Sequence, residues 1–347
     1  MKRLILIILV FGLLLNLVSC VKKPKLYLFS WTDYIAPELI RKFERDNDCK
    51  VVLDTYNSNE TMHAKLLTSK SAYDIIIPSG DYISILIDDG LLEKINLSSL
   101  SNYSNLDPVI LNKVEEYEFD LGYTVPYFWG TSGVIYNKKL VSEEDMTDIS
   151  WDVFQNQKYA NKITMLDDIR EVIGVALIHN GFNPNDTSET ALAIARESLL
   201  LWDLNVVQYD SDSFKNEVQD GTIWLGQAYN GDALQVMEEN GDIAFVLPKE
   251  GSTLWIDFFA IPKNSENKEL AHKYIDFLLD EKNALTNAEY VLYATPNVAA
   301  YKLLNKSMQE NKNIYPVQEY LDKCFLIKNI RNEVLKLDVI WQEIRNN

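Results

Sequence analysis

Hydrophobic positions in this chain alternate between two patterns. Short unbroken apolar runs, bounded by turn residues, read as buried strands. Stretches in which apolar residues return every third or fourth position read as helices covering them. The first run is 26–30. A helix opened by Pro37 follows, with Leu39, Ile40 and Phe43 on one face. Residues 51–56 form a second strand, 59–69 a helix with Met62, Leu66 and Leu67 inward, and 74–78 a third strand. Strand and helix alternating in this way imply parallel pairing with right-handed crossovers. In such sheets ligands bind beyond the carboxyl ends of the strands. Trp31-Thr32-Asp33-Tyr34 and Ser79-Gly80-Asp81-Tyr82 both fall at those ends.

The run 126–137 is aromatic, is broken by Gly130-Thr131-Ser132-Gly133, and then resumes as a strand. That pattern predicts a crossover into a second α/β region. There a strand at 162–166 leads into a helix over 169–180, which Asp167 or Asp168 is placed to cap. Asp168 and Glu171, three apart, share a face at that helix start. A helix over 187–203, a short acidic helix over 212–220, a strand over 223–230 ending near Tyr229 and Asp232, and a strand over 243–248 complete the region. The chain then returns through 254–262, a helix over 266–280, a loop over 290–297 carrying Tyr293, and a helical remainder over 298–346. The fold class is α/β with two lobes, since the length suits two domains rather than one. The expected lobes are 26–129 with 252–297, and 134–247 with 303–347. Hinge segments fall near 129–133, 248–251 and 298–302.

The strand at 254–262 holds an anomaly. Alternation puts Trp255, Asp257 and Phe259 on one face and Leu254, Ile256 and Phe258 on the other. A carboxylate among aromatic rings inside a buried strand costs several kcal/mol when ionised and unpaired. Its partner is either a lysine, an arginine or backbone N–H groups from elsewhere in the chain, or a cationic ligand.

Composition narrows the choice. The 347 residues are 47% hydrophobic and 11% aromatic, enough for sizeable cores, and the formal net charge is −18. Such a chain repels nucleic acid and suits a cationic partner. Lys2 and Arg3 precede a run over 4–18 that is apolar but for Asn16, which reads as a signal-peptide core rather than a membrane span. It ends in Leu17-Val18-Ser19-Cys20, which resembles a bacterial lipobox. Cleavage after residue 19 would leave Cys20 to carry a lipid, with 20–25 as a tether and a mature net charge of −20, since Lys2 and Arg3 are lost. An ordinary signal peptide with an incidental cysteine is the alternative. Cys49 and Cys324 remain, with no reason to pair. With His63, His179 and His272 scattered, no metal site and no cofactor are implied.

Aromatics and carboxylates recur together at the predicted strand ends: Trp31 with Asp33 and Tyr34, Asp81 with Tyr82, Asp168 with Glu171, Tyr229 with Asp232, Trp255 with Asp257, and Tyr293. A flexible alkyl chain bearing ammonium groups fits such a cleft. Carboxylates take the ammoniums by charge-assisted hydrogen bonds, and ring faces take the methylenes and the cations. Anions fit poorly, because no lysine or arginine cluster accompanies these turns.

The segments FSWTDYIAP, YNSNETMHAKL, NLDP, PYFWGTSG, LDDIREV, PKEG followed by LWIDFFAIP, and YATPN resemble the polyamine-binding proteins, for spermidine and putrescine, of bacterial ABC importers. The likeness covers essentially the whole mature chain. It implies a two-lobed periplasmic-binding fold of type II that closes on ligand, an ABC permease and ATPase as partners, a monomer, and an exported position held at the membrane through Cys20. Residue by residue, Trp31, Tyr34, Trp255 and Tyr293 match aromatic box positions. Thr32 and Ser79 match polar contacts near the amines. Asp168, Glu171 and Asp257 match carboxylates that pair with amino groups. Tyr229 stands where spermidine-type relatives have a second tryptophan, and Asp81 where they have a tyrosine. An apolar residue around Leu326–Ile327 replaces a glutamine contact. Asp33 and Asp232 match carboxylates of putrescine-type relatives, so the site reads as mixed.

Three other readings compete. A related binding protein for a sugar, an amino acid or ferric ion would also use aromatics and carboxylates, although ferric sites favour clustered tyrosines, which no single turn here supplies. A carboxylate-pair hydrolase could use Asp168 and Glu171, but no nucleophile–base motif accompanies them. A surface adhesin would keep the fold and anchor and leave the cleft unused.

Overall fold

A computed structural model describes residues 23–68 and 73–346, so the expected signal peptide and Cys20 lie outside the described residues. The strands in chain order are β1 (Lys25–Trp31), β2 (Lys50–Tyr56), β3 (Ile75–Ile76), β4 (Leu92–Glu93), β5 (Thr124–Asn137), β6 (Ile163–Met165), β7 (Val206–Tyr209), β8 (Leu225–Tyr229), β9 (Ile243–Val246), β10 (Thr253–Pro262) and β11 (Phe325–Leu326). Strands β1, β2 and β3 pair in parallel, and β10 runs antiparallel to β3 and β5. On the other side β5 pairs antiparallel with β8 and β9, and β6 lies parallel to β8 and β7.

β5 belongs to both halves. Its 14 residues are all buried. Gly130 and Thr131 face Trp255 and Leu254 of β10, whereas Ser132 and Gly133 face Tyr229 and Ala228 of β8. The partner changes within one peptide step, inside the glycine-punctuated stretch that predicted a crossover. Strand β10 is also wholly buried, which agrees with its unbroken apolar run.

Two main cores lie on either side of this exchange. One gathers Leu28, Phe43, Ile75, Phe258 and Tyr274. The other gathers Trp151, Phe154, Ile163, Trp202 and Leu225. A smaller cluster around Phe214, Val236 and Phe245 flanks the second.

Several sequence expectations are corrected. Residues 303–347 do not stay together. Leu304, Met308, Ile314 and Cys324 sit in the first core, and only Leu337, Ile340 and Ile344 join the second. The cause is β11, which adds in parallel to β10 at Thr253 and Leu254, so the chain changes sides after Leu326 and not at 298–302. The stretch 298–346 is not one helical run but short helices interrupted by β11. Leu67 points outward, 59% exposed, rather than inward. A helix at Glu281–Val291, which the sequence pattern did not reveal, ends at Leu292 in the left-handed region (φ 61°). That reversal, common at helix ends, launches Tyr293 toward the strand ends. Finally, register shifts between Asp257 and Phe258. The extra residue, Tyr127, sits on β5, and Phe259 packs against its tilted ring in the core, 4.2 Å between ring centroids.

Candidate functional site

The strand ends of both halves converge on a cavity. Of the residues expected from sequence, Trp31, Thr32, Tyr34, Ser79, Asp81, Asp168, Glu171, Tyr229, Asp232, Trp255, Asp257 and Tyr293 line it. Asp33 does not. It is exposed, with a left-handed backbone (φ 53°), and its charge acts on the lining residues Asp212 and Lys215 from outside the cavity.

With Glu171, Asp257 is one of the two most enclosed acids of the cavity. It is 4% exposed. Tyr34 donates its hydroxyl to one carboxylate oxygen at 2.7 Å, and Ser79 donates to the other at 2.7 Å. Burial raises its pKa to about 6, and the two hydroxyl bonds work against that rise. No lysine or arginine among the described residues forms an ion pair with it. Of the alternatives open from sequence, the protein thus supplies neutral hydroxyl donors and no cation.

Asp168 has two roles. One oxygen caps the helix Ile169–His179, accepting from the backbone N–H of Arg170 at 2.9 Å and Glu171 at 3.0 Å. The other accepts from the Tyr229 hydroxyl at 3.1 Å, facing the cavity. Glu171, 3% exposed, accepts from Ser132 of β5 at 2.6 Å and Thr253 of β10 at 2.7 Å. It therefore joins the second-region helix to both strands at the place where they change partners. Burial first, then the neighbouring Asp168 charge, pushes Glu171 upward, and burial with Glu60 does the same to Asp168. Asp81 rises to about 7, mainly by burial, with Arg170 opposing.

The rings form a connected wall. Trp255 meets Tyr293 edge-on at 5.0 Å and Tyr229 at 6.0 Å, and Tyr293 meets Tyr34 at 5.6 Å. These are favoured quadrupole arrangements, and they leave ring faces for a cation or an alkyl chain. The Trp31 indole N–H is held by the Ile77 carbonyl at 2.8 Å, which fixes that ring at the mouth of β1.

Sequence reasoning missed part of the lining: Tyr56, Asn57, Asn59, Arg170, Ser211, Asp212 and Lys215. Asn57 and Asn59 lie at the end of β2, where the strand-end rule could have found them. Ile327 occupies the apolar position anticipated near Leu326–Ile327. Arg170 and Lys215 are two basic residues of the lining that the sequence reading did not place there. The Arg170 guanidinium is tied to the Lys328 carbonyl at 2.7 Å and to Asn185 at 2.8 Å. Lys215 pairs with Asp232 at 3.1 Å. Arg170 lies beside Glu171 in the sequence and was passed over there, whereas tertiary folding alone brings Lys215 to Asp232. Among the described residues no cluster of ligands suited to a metal ion is present.

Residues 38–316 match the model of the family described as bacterial extracellular solute-binding protein. The chain is 38% identical over 319 residues to the spermidine/putrescine-binding periplasmic protein of Salmonella typhimurium, covering 92% of this chain and 89% of that one. It is 39% identical over 295 residues to the protein of the same description from Escherichia coli, covering 85% and 84%. The solved structure of the spermidine/putrescine ABC transporter substrate-binding protein PotD from Streptococcus pneumoniae superposes with a TM-score of 0.81 at 32% identity, covering 93% of this chain and 99% of that one. The fold is that of the type II periplasmic binding proteins. A cleft built at strand ends from both halves, a full-length structural match and a family model spanning most of the sequence agree: the chain belongs to the bacterial extracellular solute-binding proteins.

Proposed function

We propose that this chain is the polyamine-capturing component of an ABC importer, binding spermidine, putrescine or both between its two lobes and passing them to a membrane permease driven by its ATPase. The observation that carries this reading is Asp257, a buried carboxylate held by two neutral hydroxyls beside an aromatic wall, with no ion pair from the described residues. A ligand ammonium supplies the missing charge, and the rings supply about 0.5–2 kcal/mol of cation–π attraction. The lobes would move about the exchanges at 129–133 and 248–251, and contacts from both sides would select the closed state. Export with a lipid on Cys20 and a monomeric state complete the proposal.

Isothermal titration of the mature protein with putrescine, spermidine and spermine tests it. Saturable binding of at least one is expected, weakening as salt rises. No binding of any of the three would overturn the reading.

A pH dependence follows from the buried acids. Burial holds Asp257 up to about 6 and Asp81 up to about 7. An ammonium binds the ionised carboxylate, so binding expels protons, and affinity should rise about tenfold between about pH 5.5 and 8. The ligand-free fold has the opposite dependence. Acids raised on folding contribute stability below their unfolded pKa, and that contribution is lost as pH climbs through about 6 to 7. Thermal unfolding should therefore show a larger polyamine-induced rise in Tm at the upper end of this window. Equal affinities at both ends would contradict the role given to these carboxylates.

A further inference from the structure

The acids of the cleft are not equally free to receive a ligand. Arg170 lies within the field of Asp81, Asp168 and Glu171. On another part of the wall, Lys215, at the start of the helix Phe214–Asp220, pairs with Asp232 at 3.1 Å. Both of those side chains are largely enclosed, 19% and 17% exposed. Burial works against the lysine's charge, but Asp232, then Asp212 and Asp33, outweigh it and raise its pKa above the ordinary value, so the ammonium remains charged. Asp257 pairs with neither cation.

From this arrangement we infer that Lys215 is a built-in ammonium that occupies one amine position of the cleft and thereby limits the number of charges a ligand can carry. The inference rests on the polyamine reading above. A diamine can place one ammonium at Asp257 without meeting Lys215. A triamine that extends toward Asp232 brings a third ammonium against a like charge already holding that carboxylate. Lys215 acts on chain length and charge count, and the ligand need not touch its side chain when it is short. Repulsion of this kind discriminates between ligands that make the same attractive contacts.

The test is the ratio of putrescine to spermidine affinity, measured by calorimetry on the full mature chain. Lys215→Met removes the charge and keeps the aliphatic stem. It should shift the ratio toward spermidine by about tenfold. Lys215→Arg keeps the charge and should leave the ratio within about twofold of the parent. Lys215→Gln repeats the neutralisation if the methionine variant does not fold. An unchanged ratio in the neutral variants, or an equal loss of affinity for both amines as a purely structural lysine would give, overturns the inference while leaving the polyamine reading in place. Absence of binding by either amine to the parent chain removes both.

Discussion

Replacing Asp257 with asparagine should weaken polyamine binding by about 100- to 1,000-fold and leave the ligand-free fold at least as stable as before. The two halves of this expectation have one cause. The carboxylate is almost fully enclosed, and its partners are the Tyr34 and Ser79 hydroxyls, each at 2.7 Å. Burial lifts its pKa from 3.8 to about 6. Ionising it at neutral pH therefore costs the native state about 3 kcal/mol relative to the unfolded chain. Asparagine removes that cost. Its carbonyl accepts from one hydroxyl, and its amide donates to the other once that hydroxyl rotates, so no buried polar atom is orphaned. A ligand ammonium loses the charge it would neutralise and gains nothing in return. Calorimetry of the variant measures the first half, and thermal unfolding without ligand at about pH 7.5 measures the second. Unchanged affinity would remove Asp257 from the site. A large fall in Tm would mean that the carboxylate is structural.

The features that sequence revealed and those it hid differ in physical kind. Asp257 stood out because one charged residue interrupts a run that is otherwise apolar, and local alternation paired it correctly with Trp255. Asp168 was legible as a cap because capping depends on residues two or three positions away. The exchange within β5 was legible from glycine punctuation. What remained hidden depends on distant contacts or on a single irregular dihedral. The bulge opposite Asp257, at Tyr127 of β5, left no mark in the apolar runs. Asp33 has a left-handed backbone and is exposed, off the lining. Lys215 belongs to a short helix read only as acidic, and nothing nearby in sequence marks Asp232 as its partner. The return of 303–326 to the first core depends on β11, a strand too short for any period to register. Local chemistry thus identified acids and rings, and tertiary placement decided which acids were already neutralised.

Gly251→Ala should cost about 3–5 kcal/mol of stability, the sum of backbone strain and a steric clash. Gly251 has φ 99°, a conformation that a side chain disfavours, and a Cβ there would lie 2.1 Å from the Lys323 carbonyl oxygen. The neighbour is backbone, immediately before β11, so it cannot yield by changing a rotamer. The position is also anchored on its own side, because the Gly251 carbonyl accepts from the Trp151 indole at 2.9 Å. Relief would have to come from shifting Ser252 and Thr253. Ser252 donates to the Ser132 carbonyl at 2.6 Å, and Thr253 donates to Glu171 at 2.7 Å. The strain would therefore spread along β10 into the cleft, and polyamine affinity should fall together with stability. Gly241→Ala is the matched control, since a Cβ there meets nothing within 4 Å and the change should stay within about 0.5 kcal/mol. Urea unfolding of both variants separates the outcomes. Equal midpoints would show that the return into β10 bends freely at residue 251, and the crossing at 248–251 would then act as a loose linker rather than a defined pivot between the lobes.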